Sequence, residues 1–303
     1  MNTFHITNRL LKSTLFCGLL LFSSSALSCS SDDDGGGNGG TQLEWLEPIR
    51  VASYNIQYDN RNEEAGRWEN RKEIVCRLLE AEDFDIFGAQ EPYKFQIEDM
   101  AAALPGYTWI GTSVTGEDNV ERRHFNPIFY KTDKFEVLES GSFWYSETPN
   151  VPNTKFSDSY SPRMCNWAHF RVKATGKEFY YFNTHLDHKG VVARREGVKL
   201  VVREVQQIAG RKAAVVVGGD LNSTIDDRIF DPLKKFMTPA REKAPVTDRK
   251  GTYNGWGQAP NSMVIDHLFV RNMKCLSYRT LDGDYGVPYI SDHYPIEIVV
   301  RLK

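Results

Sequence analysis

From Ile49 onward, short apolar runs alternate with amphipathic stretches. Ile49 to Ile56 reads as a buried strand ending at Asn55. Trp68 to Leu79 places Ile74, Val75, Leu78 and Leu79 at helical spacing. Asp85 to Ala89 is a short apolar run closing on Gln90-Glu91, and Pro92 opens a second helix reaching Leu104, since proline suits a first turn. Strand-like runs follow at Tyr107 to Gly111, Pro127 to Tyr130, Phe135 to Glu139, Asn166 to Val172 and Glu178 to Thr184. Ala193 to Ala209 sets Val198, Val201, Val202, Val205 and Ile208 on one helical face. Further strands are expected at Ala213 to Val217, Val264 to Val270 and Ile296 to Val300. No segment repeats, and strands mix with helices throughout. The pattern predicts an α/β fold, a four-layer α/β/β/α sandwich with two mixed β-sheets. Gly141 to Pro162 is polar with Trp144, Tyr145, Phe156 and Tyr160 interspersed, and reads as a long surface loop near a ligand.

The N-terminal pattern is different. Arg9 and Lys12 precede the apolar run Leu15 to Phe22, which is too short to span a bilayer and suits a secretory signal. Residues 1–28 are therefore expected to be a signal peptide. The small residues before Cys29 resemble a bacterial lipobox with Cys29 as the lipid-bearing residue, although Ala26 rather than Leu stands three before it; ordinary cleavage beside an incidental cysteine is the alternative. Residues 29–44 read as an acidic, glycine-rich tether, and 45–303 as one catalytic domain. An acidic run after a lipidated cysteine resembles the surface-export signal of Bacteroidetes lipoproteins. It implies an exported outer-membrane lipoprotein, held to the membrane at Cys29 and facing the cell surface; the chain is separately expected to be a monomer.

Composition narrows the partners. The 303 residues are 41% hydrophobic, enough for a large core. The formal net charge is −3, and it becomes −5 once Arg9 and Lys12 leave with the signal. An acidic body argues against a tight, sequence-independent grip on long nucleic acid. Cys76, Cys165 and Cys275 remain as an odd set without a close pair, expected to be small buried hydrophobes rather than a zinc site or disulfide framework.

Polar clusters sit where the apolar strands stop. They are Asn55, Gln90-Glu91, Asn183-Thr184-His185, Asp220-Leu221-Asn222 and Asp292-His293, with Asp266-His267 near the start or middle of its strand. Strand ends along one sheet rim share a cleft. Carboxylates with few imidazoles and no cysteine suit a hard oxygen-seeking cation, Mg²⁺ with Mn²⁺ or Ca²⁺ as substitutes, rather than zinc. Glu91 and Asp292 are candidate carboxylate ligands and Asn55 a neutral one. Asp220 is a candidate to orient or deprotonate water. His293, if paired with Asp266, would meet the negative charge developing on a phosphate.

The order Asn55, Gln90-Glu91, Thr184-His185-Leu186, Gly219-Asp220-Leu221-Asn222, Ile265-Asp266-His267 and Ser291-Asp292-His293 resembles the endonuclease/exonuclease/phosphatase superfamily, which has the deoxyribonuclease-I-like fold. The resemblance runs from about Ile49 to Lys303. It implies a Mg²⁺-dependent hydrolase of phosphoester bonds, a phosphodiesterase, nuclease or phosphatase, acting by attack of water on phosphorus. It also implies Asn55, Glu91 and Asp292 at the metal, His185 on a phosphate oxygen, Asn222 orienting phosphate and water, and Asp266 with His293 as a pair. Whether Asp220 or His293 is the base stays open, as does the metal count.

Softer matches carry alternatives. Arg163 resembles an arginine that reaches the substrate phosphate, or makes a surface salt bridge. Trp68-Glu69-Asn70-Arg71 resembles a Trp-x-x-Arg helix opening that serves function or packing. The aromatics of Thr252 to Trp256 could border the cleft or pack in the core. The substrate could be a small molecule, a lipid head group or nucleic acid. The rival to an enzyme is a non-catalytic surface lipoprotein binding glycans or nucleotides, which exposed aromatics in the Gly141 to Pro162 loop would suit.

Overall fold

A computed structural model describes residues 47–303. The expected signal peptide, the tether and Cys29 lie outside the described residues.

Two six-stranded mixed sheets face each other. The first runs β1 (Ile49–Asn55), β2 (Ile86–Gln90), β3 (Tyr107–Ile110), β4 (Ile128–Lys131), β11 (Met273–Thr280) and β12 (Ile296–Leu302), in spatial order β11-β12-β1-β2-β4-β3. The second contains β5 (Phe135–Trp144), β6 (Met164–Val172), β7 (Glu178–His185), β8 (Ala214–Asp220), β9 (Thr238–Pro239) and β10 (Asp266–Arg271), in order β5-β6-β7-β8-β10-β9. Helices α1 (Trp68–Glu82) and α2 (Lys94–Ala103) cover the first sheet, and α3 (Val191–Ile208) and α4 (Asp231–Phe236) the second; the short α5 (Ala240–Lys243) follows β9. The expected α/β/β/α sandwich is the observed fold.

The alternation of side chains across each strand builds these layers. Val51 and Ile86 point into the core between the sheets, while their neighbours Ala52 and Phe87 point out under α1 and α2. In β8, Val216 faces the other sheet and Val215 and Val217 face α3. A central strand covered on both faces must be apolar at successive positions, which is why these runs read as continuous. Toward the strand ends that carry the polar clusters, amides replace hydrocarbon between the sheets. Asn183 of β7 accepts from Gln90 Nε2 at 2.6 Å and donates to the carbonyls of Ala89 and Pro127, each at 2.9 Å.

Two sequence expectations fail for physical reasons. Gly141 to Trp144 belongs to β5 rather than to a loop, and Trp144 and Tyr145 are buried. Small polar residues flank the packed aromatics there, Ser142 before Phe143 and Ser146 after Tyr145, so hydropathy alone suggested exposure. β11 has no counterpart in the apolar pattern, because its exposed positions carry Lys274 and Arg279 and its continuous partner is β12 alone. Of the cysteines, Cys165 is buried, whereas Cys76 and Cys275 are partly exposed; all three are free.

Candidate active site

One rung of the second sheet forms the floor of the site. His185 at the end of β7 lies opposite Asp220 at the end of β8 across a parallel pairing, and Asp220 lies opposite Asp266 at the start of β10 across an antiparallel one. The chain approaches so closely here that position 219 must be glycine: its φ is +149°, and a Cβ would sit 1.7 Å from the Thr184 carbonyl oxygen. The first sheet brings Asn55 at the end of β1 beside Gln90 at the end of β2, so Glu91 follows at once. Ser291 to His293 enter from the loop before β12.

These residues meet in a cleft of about 1060 Å³ whose lining includes Glu91, Arg163, His185, Asp220, Asp292 and His293, together with Asn222. Asp266 and Asn55 lie buried behind that surface. His293 Nδ1 is 2.9 Å from Asp266 Oδ2, and its Nε2 is 3.7 Å from Asp220 Oδ2. Those carboxylates hold the imidazole well above its ordinary pKa, although burial works against the charge. Asp220 is raised to about 7, first by burial and then by its neighbours Asp266 and Glu91, with His293 opposing. Asp292 is raised to about 6, again mainly by burial. Glu91 goes the other way: burial alone would raise it, but His124, Arg163 and His293 hold it below its usual value.

Arg163 is 6% exposed, so the surface-salt-bridge alternative fails. Its Nη1 lies 3.1 Å from His185 Nδ1. A guanidinium only donates, so Nδ1 accepts and the His185 proton sits on Nε2, 3.3 Å from Asp220 Oδ2. Burial and Arg163 push the His185 pKa well below its ordinary value, which keeps the ring neutral. Asn222 lends its side-chain N–H to the Leu186 carbonyl at 2.9 Å, and its backbone N–H to Asp220 Oδ1 at 2.9 Å.

Asn55 turns its Nδ2 toward Asp220 Oδ2 at 3.0 Å and Glu91 Oε1 at 3.2 Å. Its Oδ1, the atom a metal would need, accepts the Gln57 N–H at 3.0 Å. Gln57 is a site residue that no motif or hydropathy pattern singles out. Its Nε2 donates to Asp292 Oδ2 at 2.9 Å. Gln57, Glu91 and Asn222 all have positive φ, at 54°, 74° and 50°, a conformation rare outside glycine that marks residues held by their surroundings. His188, also unselected, faces Arg163 Nη2 through Nδ1 at 3.2 Å.

The softer motifs resolve into supports. Arg71 is buried, and its guanidinium donates to the carbonyls of Ile56, Gln57 and Ile290 at 2.5, 2.9 and 3.0 Å, tying the loops that carry Asn55 and Asp292. Thr252 Oγ1 accepts the Asp266 N–H at 3.1 Å, and the backbone N–H groups of Asn254 and Gly255 reach the Asp292 carbonyl at 2.8 and 3.0 Å. Tyr253 lines the cleft, edge-on to His293.

The donor set fits a hard divalent cation. Glu91, His185 and Asp220 bring ligand atoms within 4.8 Å of one another, as do Asp220, Asp266 and His293. Asp292 belongs to neither group but lines the same cleft. The raised values of Asp220 and Asp292 reflect carboxylates crowded into a buried space, which a bound cation would relieve.

The family model for the endonuclease/exonuclease/phosphatase family matches residues 52–293, nearly the whole sandwich. The chain belongs to the endonuclease/exonuclease/phosphatase family. Family members hydrolyse phosphoesters with a divalent metal. A family structure from Bacteroides vulgatus is 32% identical, with a TM-score of 0.79 over 84% of this chain and 99% of that one. The mannosyl-6-phosphatase of Bacteroides thetaiotaomicron is 35% identical, with a TM-score of 0.78 over 84% of this chain and 100% of that one. An uncharacterized protein of Acanthamoeba polyphaga mimivirus is 29% identical over 77% of this chain and 92% of its own length.

Proposed function

We propose that the protein is a Mg²⁺-dependent phosphatase that directs water onto the phosphorus of a small phosphorylated alcohol, a sugar phosphate in preference to polymeric nucleic acid. The observation that carries this reading is the line Asp266–His293–Asp220 at the floor of a cleft that also holds Glu91, Asp292 and the Arg163–His185 pair. The acidic net charge and the likeness to a mannosyl-6-phosphatase support the choice of substrate class.

Glu91 and Asp292 would hold the cation, with Asn55 joining them once its amide turns its oxygen inward; Mn²⁺ or Ca²⁺ could replace Mg²⁺. When bound, the ion polarises the phosphoryl group and offsets its charge. The chain's own residues supply the rest. Asp220 takes a proton from the attacking water as the bond from phosphorus to the alcohol oxygen breaks and that oxygen gains a proton from solvent; His293 is held protonated by Asp266 and so is not free to act as the base. The His293 imidazolium faces the charge that builds on the phosphoryl oxygens. His185, fixed by Arg163, donates Nε2–H to a phosphate oxygen, and Asn222 offers its free amide oxygen to the water.

The test is turnover of a panel of phosphomonoesters and phosphodiesters with Mg²⁺ and with EDTA. Metal-dependent release of phosphate from sugar phosphates supports the reading; no turnover of any phosphoester overturns it and favours a binding protein. The N-terminal sequence supports an exported, surface-facing form lipidated at Cys29. Labelling with a palmitate analogue should be lost in Cys29→Ser.

A further inference from the structure

Above the catalytic floor the cleft mouth carries a fixed aromatic shelf. Tyr160 is 62% exposed, yet the chain around it is tied down. The buried carboxylate of Asp187 accepts four backbone N–H groups. Its Oδ2 takes Tyr160 and Ser161 at 2.9 and 3.3 Å, and its Oδ1 takes Lys189 and Gly190 at 2.9 and 2.7 Å. Asp158 adds a second tie by accepting the N–H groups of Val192 and Ala193 at 2.8 and 3.0 Å at the start of α3. A loop held this way presents its side chains with little ordering left to lose on binding.

On that scaffold the Lys189 ammonium lies 4.2 Å from the centroid of the Tyr160 ring, and His188 meets the ring edge-on at 4.9 Å. His188 Nδ1 accepts from Arg163, so its proton sits on Nε2. One guanidinium therefore spans from His185 on the floor of the cleft to His188 on the shelf. Tyr160, His188 and Lys189 line the same cleft as Arg163 and His185.

We propose that Tyr160, His188 and Lys189 form the subsite for the alcohol half of the phosphoester, and that this half is a hydroxylated sugar ring. The proposal rests on the phosphatase reading above. The C–H face of a sugar ring packs on an aromatic ring, while its hydroxyls need polar groups beside that ring. His188 Nε2–H and Lys189 donate, and the Ser161 hydroxyl, also lining the cleft, accepts as well as donates. A nucleobase is the rival occupant of the same ring face.

The experiment compares Tyr160→Ala and Tyr160→Phe with wild type on mannose 6-phosphate, adenosine 5′-monophosphate and methyl phosphate, all with Mg²⁺. In Tyr160→Ala the ratio of kcat/KM for mannose 6-phosphate to that for methyl phosphate should fall about tenfold, chiefly through KM, with Tyr160→Phe restoring most of it. An unchanged ratio overturns the proposal, as does a larger loss on the nucleotide than on the sugar phosphate. Wild type inactive on every ester would defeat the phosphatase reading instead. The subsite is then read by saturation-transfer NMR with mannose 6-phosphate: ring-proton signals lost in Tyr160→Ala support it, and signals absent from wild type or unchanged in the variant overturn it.

Discussion

Replacing Asp220 with Asn should stabilise the metal-free protein while stopping turnover. Burial leads the causes that raise the Asp220 carboxyl to about 7 in the folded chain, from an ordinary value of 3.8. As pH rises above roughly 4 the unfolded chain releases this proton, while the folded chain keeps it until about pH 7. The folded state therefore loses stability across that window, by at most about 4 kcal/mol at 1.36 kcal/mol per pKa unit. Asn removes the penalty but not for free. It keeps an acceptor for the Asn222 N–H at 2.9 Å, and loses the attraction for His293 at 3.7 Å and the charge facing Asn55 at 3.0 Å. A net gain of about 2 kcal/mol corresponds to roughly 4–8 °C in Tm for a domain of this size. Thermal melts in EDTA at pH 5 and pH 8 measure it, and the gain should be larger at pH 8. With Mg²⁺ the gain should shrink, since a cation held by Glu91 and Asp292 in the same cleft favours an ionised carboxylate at 220 over a neutral amide. Turnover should drop by about a thousandfold or more. A variant no more stable than wild type at pH 8, or one with equal gains at both pH values, would refute the reasoning.

Asp266→Asn should lower kcat by about a hundredfold or more and move the alkaline limb of the pH–rate profile to lower pH, because His293 loses the carboxylate that keeps it protonated; an unmoved limb contradicts this. Calorimetry with Mn²⁺ should show Glu91→Gln weakening metal binding more than His293→Ala does, and the reverse order would reassign the ligand. Arg163→Lys should cost at least about tenfold in kcat/KM, since one ammonium does not reproduce the two-pronged contact with His185 and His188; wild-type values would show that the guanidinium geometry is dispensable.

Much of the site was legible because strands with both faces covered stop abruptly. Asn55, Glu91, His185 and Asp220 stand where continuous apolar runs end and Asp292 shortly before one begins, and the limits of such runs are easy to locate. Their partners were less legible. Gln57 looks like any polar residue after a strand, and only the left-handed turn at that position aims its amide at Asp292. Asp187 reads as one more acid in a loop, because its four N–H partners include a segment distant in sequence. Arg163 could be placed near phosphate by motif, but its burial against two histidines depends on how the Tyr160 loop lies on α3. β11 escaped notice because an edge strand needs apolar residues on only one face.

The rung His185–Asp220–Asp266 has a consequence for how the activity arises and how it can be altered. Spacing along that rung comes from the ladder, not from adjustable loops. A slip of one residue in either pairing would displace Asp220 by about 3.3 Å and turn it to the opposite face. The enzyme therefore has no partly assembled catalytic floor. Activity should return in refolding together with the second sheet, without a later maturation step. Single-residue insertions within β8 should abolish function outright, while insertions of similar size near Asp118, away from any ladder, should be absorbed.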